Sequence, residues 1–359
     1  MIIQGVKITG GYITDLAQLY DFSTYTFTTA GVTGRNGPTL ANCQTAYAGQ
    51  TWLTNYFSMS TQGYQLWTVP VTGNYQITVA GSRAGKPISG TYSYTPGSGA
   101  IVKGTVQLAA GDILEIICGQ YLDATNVSQI SGYYGLGGGG GSFVKNVTSS
   151  VLLFAGGGGG GASFYSSGGT PIGYSGGNGM TTTAGGTGAV VESNVGGLYG
   201  AGGGIYTTQT HIYKGGAGAG WLGYGKNGDN VSAPTAPGSS YGGGGYSYAG
   251  GFIGGTYGTN WSNPSTFAST YGGFGGGGGG NGIINGGGGG GYSGGGISGP
   301  SSSGYMSQAG GGGSYIISSA NNISTSDGNY ESSSTFNGSA IVNLASYNSG
   351  SGYVTITKI

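Results

Sequence analysis

The chain has 359 residues, of which 90 are glycine, about a quarter of the sequence against the roughly 7 % of average usage. Charged residues make up 5 %, with nine Lys+Arg, nine Asp+Glu and no formal net charge. Ordinary helical and α/β classes are thereby set aside, and no basic footprint for nucleic acid is present.

In chain order, Met1–Ile8 alternates like a strand and lacks the basic start and the roughly 7–15-residue apolar stretch of a secretory signal. Residues 1–20 read as an N-terminal strand or arm. From 21 to 136, short segments rich in β-branched and aromatic residues recur: Tyr64–Pro70, Tyr75–Ala80, Ala100–Leu108 and Ile113–Cys118. Thr72-Gly73-Asn74 and Ala110-Gly111-Asp112 are turns between them. Residues 137–313 then hold 67 of the 90 glycines. Strand patterns return over 314–359, in Ser314–Ser318, Ser339–Leu344 and Gly352–Ile359, where Val354 and Ile356 alternate with Tyr353, Thr355 and Thr357. A β-sandwich interrupted by a glycine-rich insert is the expected architecture. Val151–Ala155, the longest late aliphatic run, is far below the roughly 20 residues of a membrane span, so membrane insertion is not expected.

The insert contains glycine runs at 137–141, 156–161, 242–245, 275–280, 286–291 and 310–313. Glycine loses the most backbone entropy on folding, and such composition ordinarily marks low complexity. The spacers contradict a solvated tether, because they include Phe143, Phe154, Tyr174, Trp221, Tyr248, Phe252, Phe274 and Tyr292. A left-handed threefold helix of the polyproline-II type reconciles the two. It makes no internal hydrogen bonds and turns every N–H and C=O outward, and in a bundle only glycine lets neighbouring backbones approach closely enough to use them. Gly156, Gly158, Gly160, Gly275, Gly277, Gly279, Gly286, Gly288 and Gly290 are assigned to this lattice, with aromatic residues at its rim.

Phe27 to Gln120 carries a series of motifs: Phe27-Thr28-Thr29, Gly34-Arg35-Asn36-Gly37-Pro38-Thr39, Cys43, Tyr47-Ala48-Gly49, Gln65-Leu66-Trp67-Thr68-Val69-Pro70, Thr72-Gly73-Asn74-Tyr75, Ala80-Gly81, Gly111-Asp112 and Gly119-Gln120. Phe154-Ala155-Gly156 and the runs from Gly275 and Gly286 continue it. In this order and spacing the chain resembles the glycine-rich extracellular region of the anaplastic lymphoma kinase and leukocyte tyrosine kinase receptors. The resemblance implies a tumour-necrosis-factor-like jelly-roll sandwich with an inserted bundle of polyglycine-II helices. Its sandwich landmarks are Gly37, Pro38, Trp67, Pro70, Gly73, Tyr75 and Gly111. It further implies a cysteine where this chain has Ala30, so Cys43 lacks that partner and both Cys43 and Cys118 are expected as thiols. In those receptors the region binds a cytokine and precedes a membrane span and a kinase domain, neither of which lies in these 359 residues.

No residue constellation points to catalysis. His211 is the single histidine, and neither Asp112 with Glu115 nor the other carboxylates form an acid–base pair. Asp327-Gly328-Asn329 lacks the remainder of a calcium loop, and the two cysteines have no ligand spacing, so no metal and no cofactor are expected. Gly220–Asn227 matches a phosphate-loop spacing, but Asn227 replaces the required Ser or Thr. Asn126, Asn146, Asn230, Asn260, Asn322 and Asn337 open N-x-Ser/Thr sequons. The expectation is a non-enzymatic structural or surface-display protein, a capsid-associated or fibre-like virion component that mediates assembly or attachment. The alternative is a secreted or cell-surface ligand-binding ectodomain. Protein partners or a surface ligand, self-association, and a virion-surface or extracellular location complete the expectation.

Overall fold

The computed structural model describes residues 6–9, 12–16, 18–86, 94–123, 133–167, 170–188, 195–206, 214–229, 241–258, 270–281, 285–298, 308–325, 335–336, 339–340, 342–343 and 347–359. The strands in chain order are β1 (Val6–Thr9), β2 (Tyr12–Leu16), β3 (Thr24–Phe27), β4 (Phe57–Ser58), β5 (Gln65–Thr68), β6 (Gly73–Ala80), β7 (Ile101–Leu108) and β8 (Ile113–Ile117). They continue as β9 (Tyr133–Gly135), β10 (Ser142–Asn146), β11 (Val151–Gly156), β12 (Ser163–Ser167), β13 (Thr170–Tyr174), β14 (Tyr315–Ile316) and β15 (Asn321–Thr325). The last are β16 (Thr335–Phe336), β17 (Ser339–Ala340), β18 (Val342–Asn343) and β19 (Tyr353–Lys358).

Two six-stranded sheets dominate, one ordered β14-β11-β10-β8-β5-β4 and the other β18-β15-β7-β6-β19-β3. Nearly all their pairings are antiparallel; β15 and β18 run parallel. Period two decides which side of each strand is buried. Tyr75, Ile77 and Val79 of β6 and Val354 and Ile356 of β19 are fully buried, while Gln76 and Thr78 face outward. They meet Trp67, Leu114, Ile116, Val144 and Phe154 of the opposite sheet in one apolar cluster, the packing of a β-sandwich. On the outer face of the β3–β19 pair, Thr24–Thr357 and Thr26–Thr355 hydroxyls bond at 2.8 and 2.9 Å.

The one α-helix among the described residues, α1 (Leu40–Ala46), follows Gly37-Pro38-Thr39. Thr39 caps it: its hydroxyl accepts from the Asn42 amide at 3.2 Å, and the Asn42 side chain accepts from the Thr39 amide at 2.9 Å. The helix seats Cys43 and Tyr47 beside Phe27, Trp52 and Trp67, an aromatic group with ring centroids mostly 5–6 Å apart.

Strands β10 and β11 lie within residues 137–313, yet both are ordinary members of the first sheet, β10 pairing with β8 and β11 with β14. Conversely, Ser82, Ala84, Gly97 and Gln120 lie outside that stretch and bond to lattice residues or to one another. Glycine density and sheet membership therefore divide the chain differently. The Ser142-Phe143-Val144 and Val151–Phe154 segments supply β-branched and aromatic side chains to a sheet, whatever flanks them.

Candidate functional site

The glycine runs are hydrogen-bonded to one another with a period of three. From Gly286 to Gly291, successive amides donate to Ser163 Oγ at 2.9 Å and then to the carbonyls of Leu136, Gly216, Gly310, Gly139 and Ala219, at 2.8–3.1 Å. Positions 287 and 290 thus address 136 and 139, and 288 and 291 address 216 and 219. Two neighbours each met again three residues on, with the intervening amides at 286 and 289 turned to Ser163 and Gly310, is the geometry of a threefold helix without internal bonds. The pattern repeats elsewhere. Gly138 and Gly141 donate to Gly278 and Gly275, Gly158 and Gly161 to Gly290 and Gly287, and Gly216 and Ala219 to Gly279 and Gly276.

At most glycines of this lattice a β-carbon has no room. Built on Gly158, it would stand 2.3 Å from the Gly139 carbonyl oxygen; on Gly288, 2.2 Å from that of Gly295; on Gly290, 2.1 Å from that of Gly275. Gly160, Gly277, Gly279 and Gly286 are equally confined by backbone atoms, whereas Gly156 ends β11 as the partner of Ser142, and a β-carbon there would stand 2.9 Å from the Val79 carbonyl oxygen. Gly275 differs. Its φ of +98° places it in the turn at 274–276, and it joins the lattice through its carbonyl, which accepts from Gly141 at 2.9 Å.

The sandwich landmarks form the seam to this lattice or the turns of the sandwich itself. Gly34 and Arg35 carbonyls accept from Phe274 and Gly254 at 2.8 and 2.9 Å. Gly37 and Gly63, with φ of +76° and +85°, leave space for the Phe274 ring, which a β-carbon on Gly63 would enter at 2.2 Å. The Pro38 carbonyl accepts from Gly63 at 3.0 Å, and that of Pro70 from Leu19 at 2.8 Å. Trp67 and Tyr75 are buried in the core, and the Tyr75 hydroxyl donates to the Val71 carbonyl at 2.7 Å. Gly73 begins β6, and Gly111 takes φ of +85° in the β7–β8 turn.

A second seam is aromatic. Phe143 of β10 stacks on Phe252 at 4.3 Å, Trp221 stacks on Tyr248 at 4.3 Å, and the Tyr64 hydroxyl donates to the Tyr248 carbonyl at 2.9 Å. Lys145 Nζ donates to the Tyr248 hydroxyl at 3.0 Å and lies 4.5 Å from its ring centroid. Glu115, opposite Lys145 across the β8–β10 ladder, is also bonded to Tyr248. Burial raises its carboxyl pKa above 4.5, and the Tyr248 bond and the Lys145 charge only partly offset that.

Lattice turns converge at this same end: Gly200 accepts from Leu222 at 2.8 Å, Trp221 donates to Tyr292 at 2.8 Å, and Gly275 donates to Phe252 at 2.8 Å. The inner turns carry Phe252 and Phe274 onto the sandwich. The outer turns leave Tyr199 82 % and Leu222 72 % exposed, with Leu198 and Tyr224 beside them in sequence and also exposed. Leu198–Ala201 is closed by an Ala201 N–H to Leu198 carbonyl bond of 2.9 Å with positive φ at both central residues, +52° at Tyr199 and +87° at Gly200. That is the type I′ pattern, which favours Asn-Gly. An exposed tyrosine in left-handed backbone gains nothing from burial to offset its strain, so its side chain is the part of the turn that invites a functional reading.

The other residues singled out by their sequence context lie apart from these seams and turns. Cys43 and Cys118 are buried free thiols; burial pushes Cys43 up to about 11 and Cys118 higher still. Asn227 takes the Gly244 amide on its side-chain oxygen at 2.9 Å, a lattice bond and not part of a phosphate loop. Asn146 is buried, with its amide donating to Asp112 at 3.0 Å, whereas Asn322 is exposed. His211, Asp327, Asn329, Asn126, Asn230, Asn260 and Asn337 lie outside the described residues. Arg83 belongs to no motif of the sequence, yet its guanidinium grips Asp123 through two 2.8 Å bonds and lies 3.5 Å from the Tyr121 ring centroid. Its 40-residue separation from Asp123 carries no local signal. Among the described residues no three His, Cys, Asp or Glu side chains group to hold a metal, and no helix is long and apolar enough to cross a membrane.

Fold and surface together define a mainly β protein in which a sandwich carries a lattice of glycine segments. No protein-family model matches the chain. Over 97 residues, 27 % of its length, it is 33 % identical to the leukocyte tyrosine kinase receptor of Mus musculus, a match covering 11 % of that receptor.

Proposed function

We propose that this is a non-enzymatic surface-display protein: the sandwich is the base, the glycine lattice is the carrier, and the exposed Tyr199–Leu222 turns are the contact surface for a protein partner. The carrying observation is the conjunction of a lattice in which backbone atoms crowd out a β-carbon at most glycines with large apolar side chains left outside it at the outer turns. Isolated exposed apolar residues are ordinary, but two on hydrogen-bonded neighbouring turns, one of them in strained backbone, make a recognition patch. A virion surface, in a capsid-associated or fibre-like position, is the setting we favour, because display and assembly require no catalytic constellation.

The similarity to the receptor favours a second reading, a ligand-binding ectodomain related to the glycine-rich receptor region. One experiment addresses display in either setting. An antibody fragment that binds the wild-type chain but not a Tyr199→Ser/Leu222→Asp variant is applied to intact particles or cells carrying the protein. Labelling of intact material is expected. Labelling only after disruption would refute display, and the labelled material, particle or cell, separates the two settings.

A further inference from the structure

A cleft of about 690 Å³ opens at the edge of the sandwich, away from the turns just described. Its walls carry the amides of Asn74, Gln107, Asn321 and Asn322, its apolar surface includes Leu153 and Ile317, and among the described residues no charged or aromatic side chain lines it. The size is that of a ligand cleft.

The backbone within it is unusual. β7 is paired along its whole length with β6, Asn74 lying opposite Gln107. On its other side β15 reaches only Thr105, opposite Asn321, and the ladder shifts between Asn321 and Ser324, where Asn322 has φ of +51°. The chain before Asn321 turns away through an Ala320 N–H to Ile317 carbonyl bond of 3.0 Å. The Asn74 carbonyl accepts from Ile359 at 3.0 Å, so it points away from β7. In an antiparallel ladder a residue's N–H and C=O point to the same side, and opposed residues alternate between bonded and unbonded pairs. Gln107 therefore turns both its N–H and its C=O outward from β6, at a position that β15 does not reach. Thr105, 6 % exposed on the same wall, holds a buried hydroxyl with no hydrogen-bond partner.

We propose that this cleft binds an extended, uncharged peptide segment by strand addition onto Gln107. The open donor–acceptor pair matches one residue of an incoming strand, and the neutral amide walls match polar, uncharged side chains. Among the described residues of its lining, none offers an aromatic face on which a sugar ring could stack. This site is independent of the display surface, and loss of either leaves the other intact.

The test selects binders from displayed eight-residue peptides of uncharged composition on the full chain, then measures the best peptide by fluorescence anisotropy. Gln107→Ala retains the backbone and should bind within about twofold of wild type. Gln107→Pro removes the outward donor without taking a bond from the β6 ladder, a place where an edge tolerates proline, and should bind at least about tenfold more weakly. Amide exchange at Gln107 in the wild-type chain should slow when the peptide saturates it, and this reading decides the matter if Gln107→Pro does not fold. Equal binding by Gln107→Pro, unchanged Gln107 exchange, or enrichment of no peptide would overturn the proposal. Slowing of Gln107 exchange by neutral oligosaccharides and by no peptide would overturn it as well.

Discussion

The sandwich and the lattice satisfy the same requirement, a partner for every buried amide, by opposite means. In the sandwich, strands bond to their neighbours within a sheet, and side chains such as Ile77 and Phe154 fill the space between sheets. In the lattice there is no such space. Each segment bonds to several neighbours around its axis, and at most glycines the volume a β-carbon would occupy is held by another backbone. The sandwich is stabilised by apolar area removed from water. The lattice contributes little such area and depends on the completeness of its hydrogen bonding, against the large backbone entropy that glycine loses.

The sharpest way to break this comparison is to add one carbon to each region. Gly158→Ala drives a methyl to 2.3 Å from the Gly139 carbonyl oxygen, where only backbone movement gives relief; a loss of about 3–5 kcal/mol in unfolding free energy is expected. Gly73→Ala places the same methyl where nothing lies within 4 Å, and it should stay within about 0.5 kcal/mol of wild type. Denaturant unfolding of the two variants decides the point. Comparable stabilities would mean that the lattice backbone yields readily, and the display role would lose its carrier.

Much of this division was legible in the residues. Tyr75–Ala80, Ala100–Leu108, Ile113–Cys118 and Gly352–Ile359 fall on β6, β7, β8 and β19 to within a residue or two, because alternation states which side of a strand is buried. The threefold period of the lattice was foreseeable from glycine's missing β-carbon. Its neighbour pattern was not. Gly287 facing Leu136, and Gly288 facing Gly216, are choices among segments that have no side chains with which to specify register. The same silence hid β10 and β11, whose Phe143 and Phe154 look like rim aromatics when flanked by glycine runs. The exposed patch was invisible as well, since nothing in Leu198-Tyr199-Gly200 distinguishes a presented tyrosine from a packed one.

A smaller effect sharpens the comparison at the outer turns, where neither packing nor a full lattice acts. Tyr199→Asn replaces a residue strained at φ of +52° by one that tolerates left-handed backbone, and at 82 % exposure little burial is lost. A gain of about 0.5–1 kcal/mol in unfolding free energy is expected, together with weaker partner contact. A destabilised variant would show that Tyr199 packs, and the recognition patch would shrink to its leucines.

The smallest effect lies at the seam and is read as a slope with pH. Glu115 is 8 % exposed, and its folded-state pKa is raised by burial above the ordinary 4.5. A raised carboxyl pKa means that the folded chain holds its proton more tightly than the unfolded one. The contribution is therefore fully present below about pH 4.5 and fades as pH rises through the folded value, leaving the buried carboxylate unfavourable at neutral pH. Glu115→Gln removes the titration while keeping a polar partner for Tyr248. The stability of wild type relative to Glu115→Gln should fall from pH 4 to pH 7, and the variant should be at least as stable as wild type at pH 7. If the difference instead grows in favour of wild type with rising pH, Lys145 and Tyr248 outweigh desolvation, and an ion pair then joins aromatic stacking in holding the lattice to the sheet.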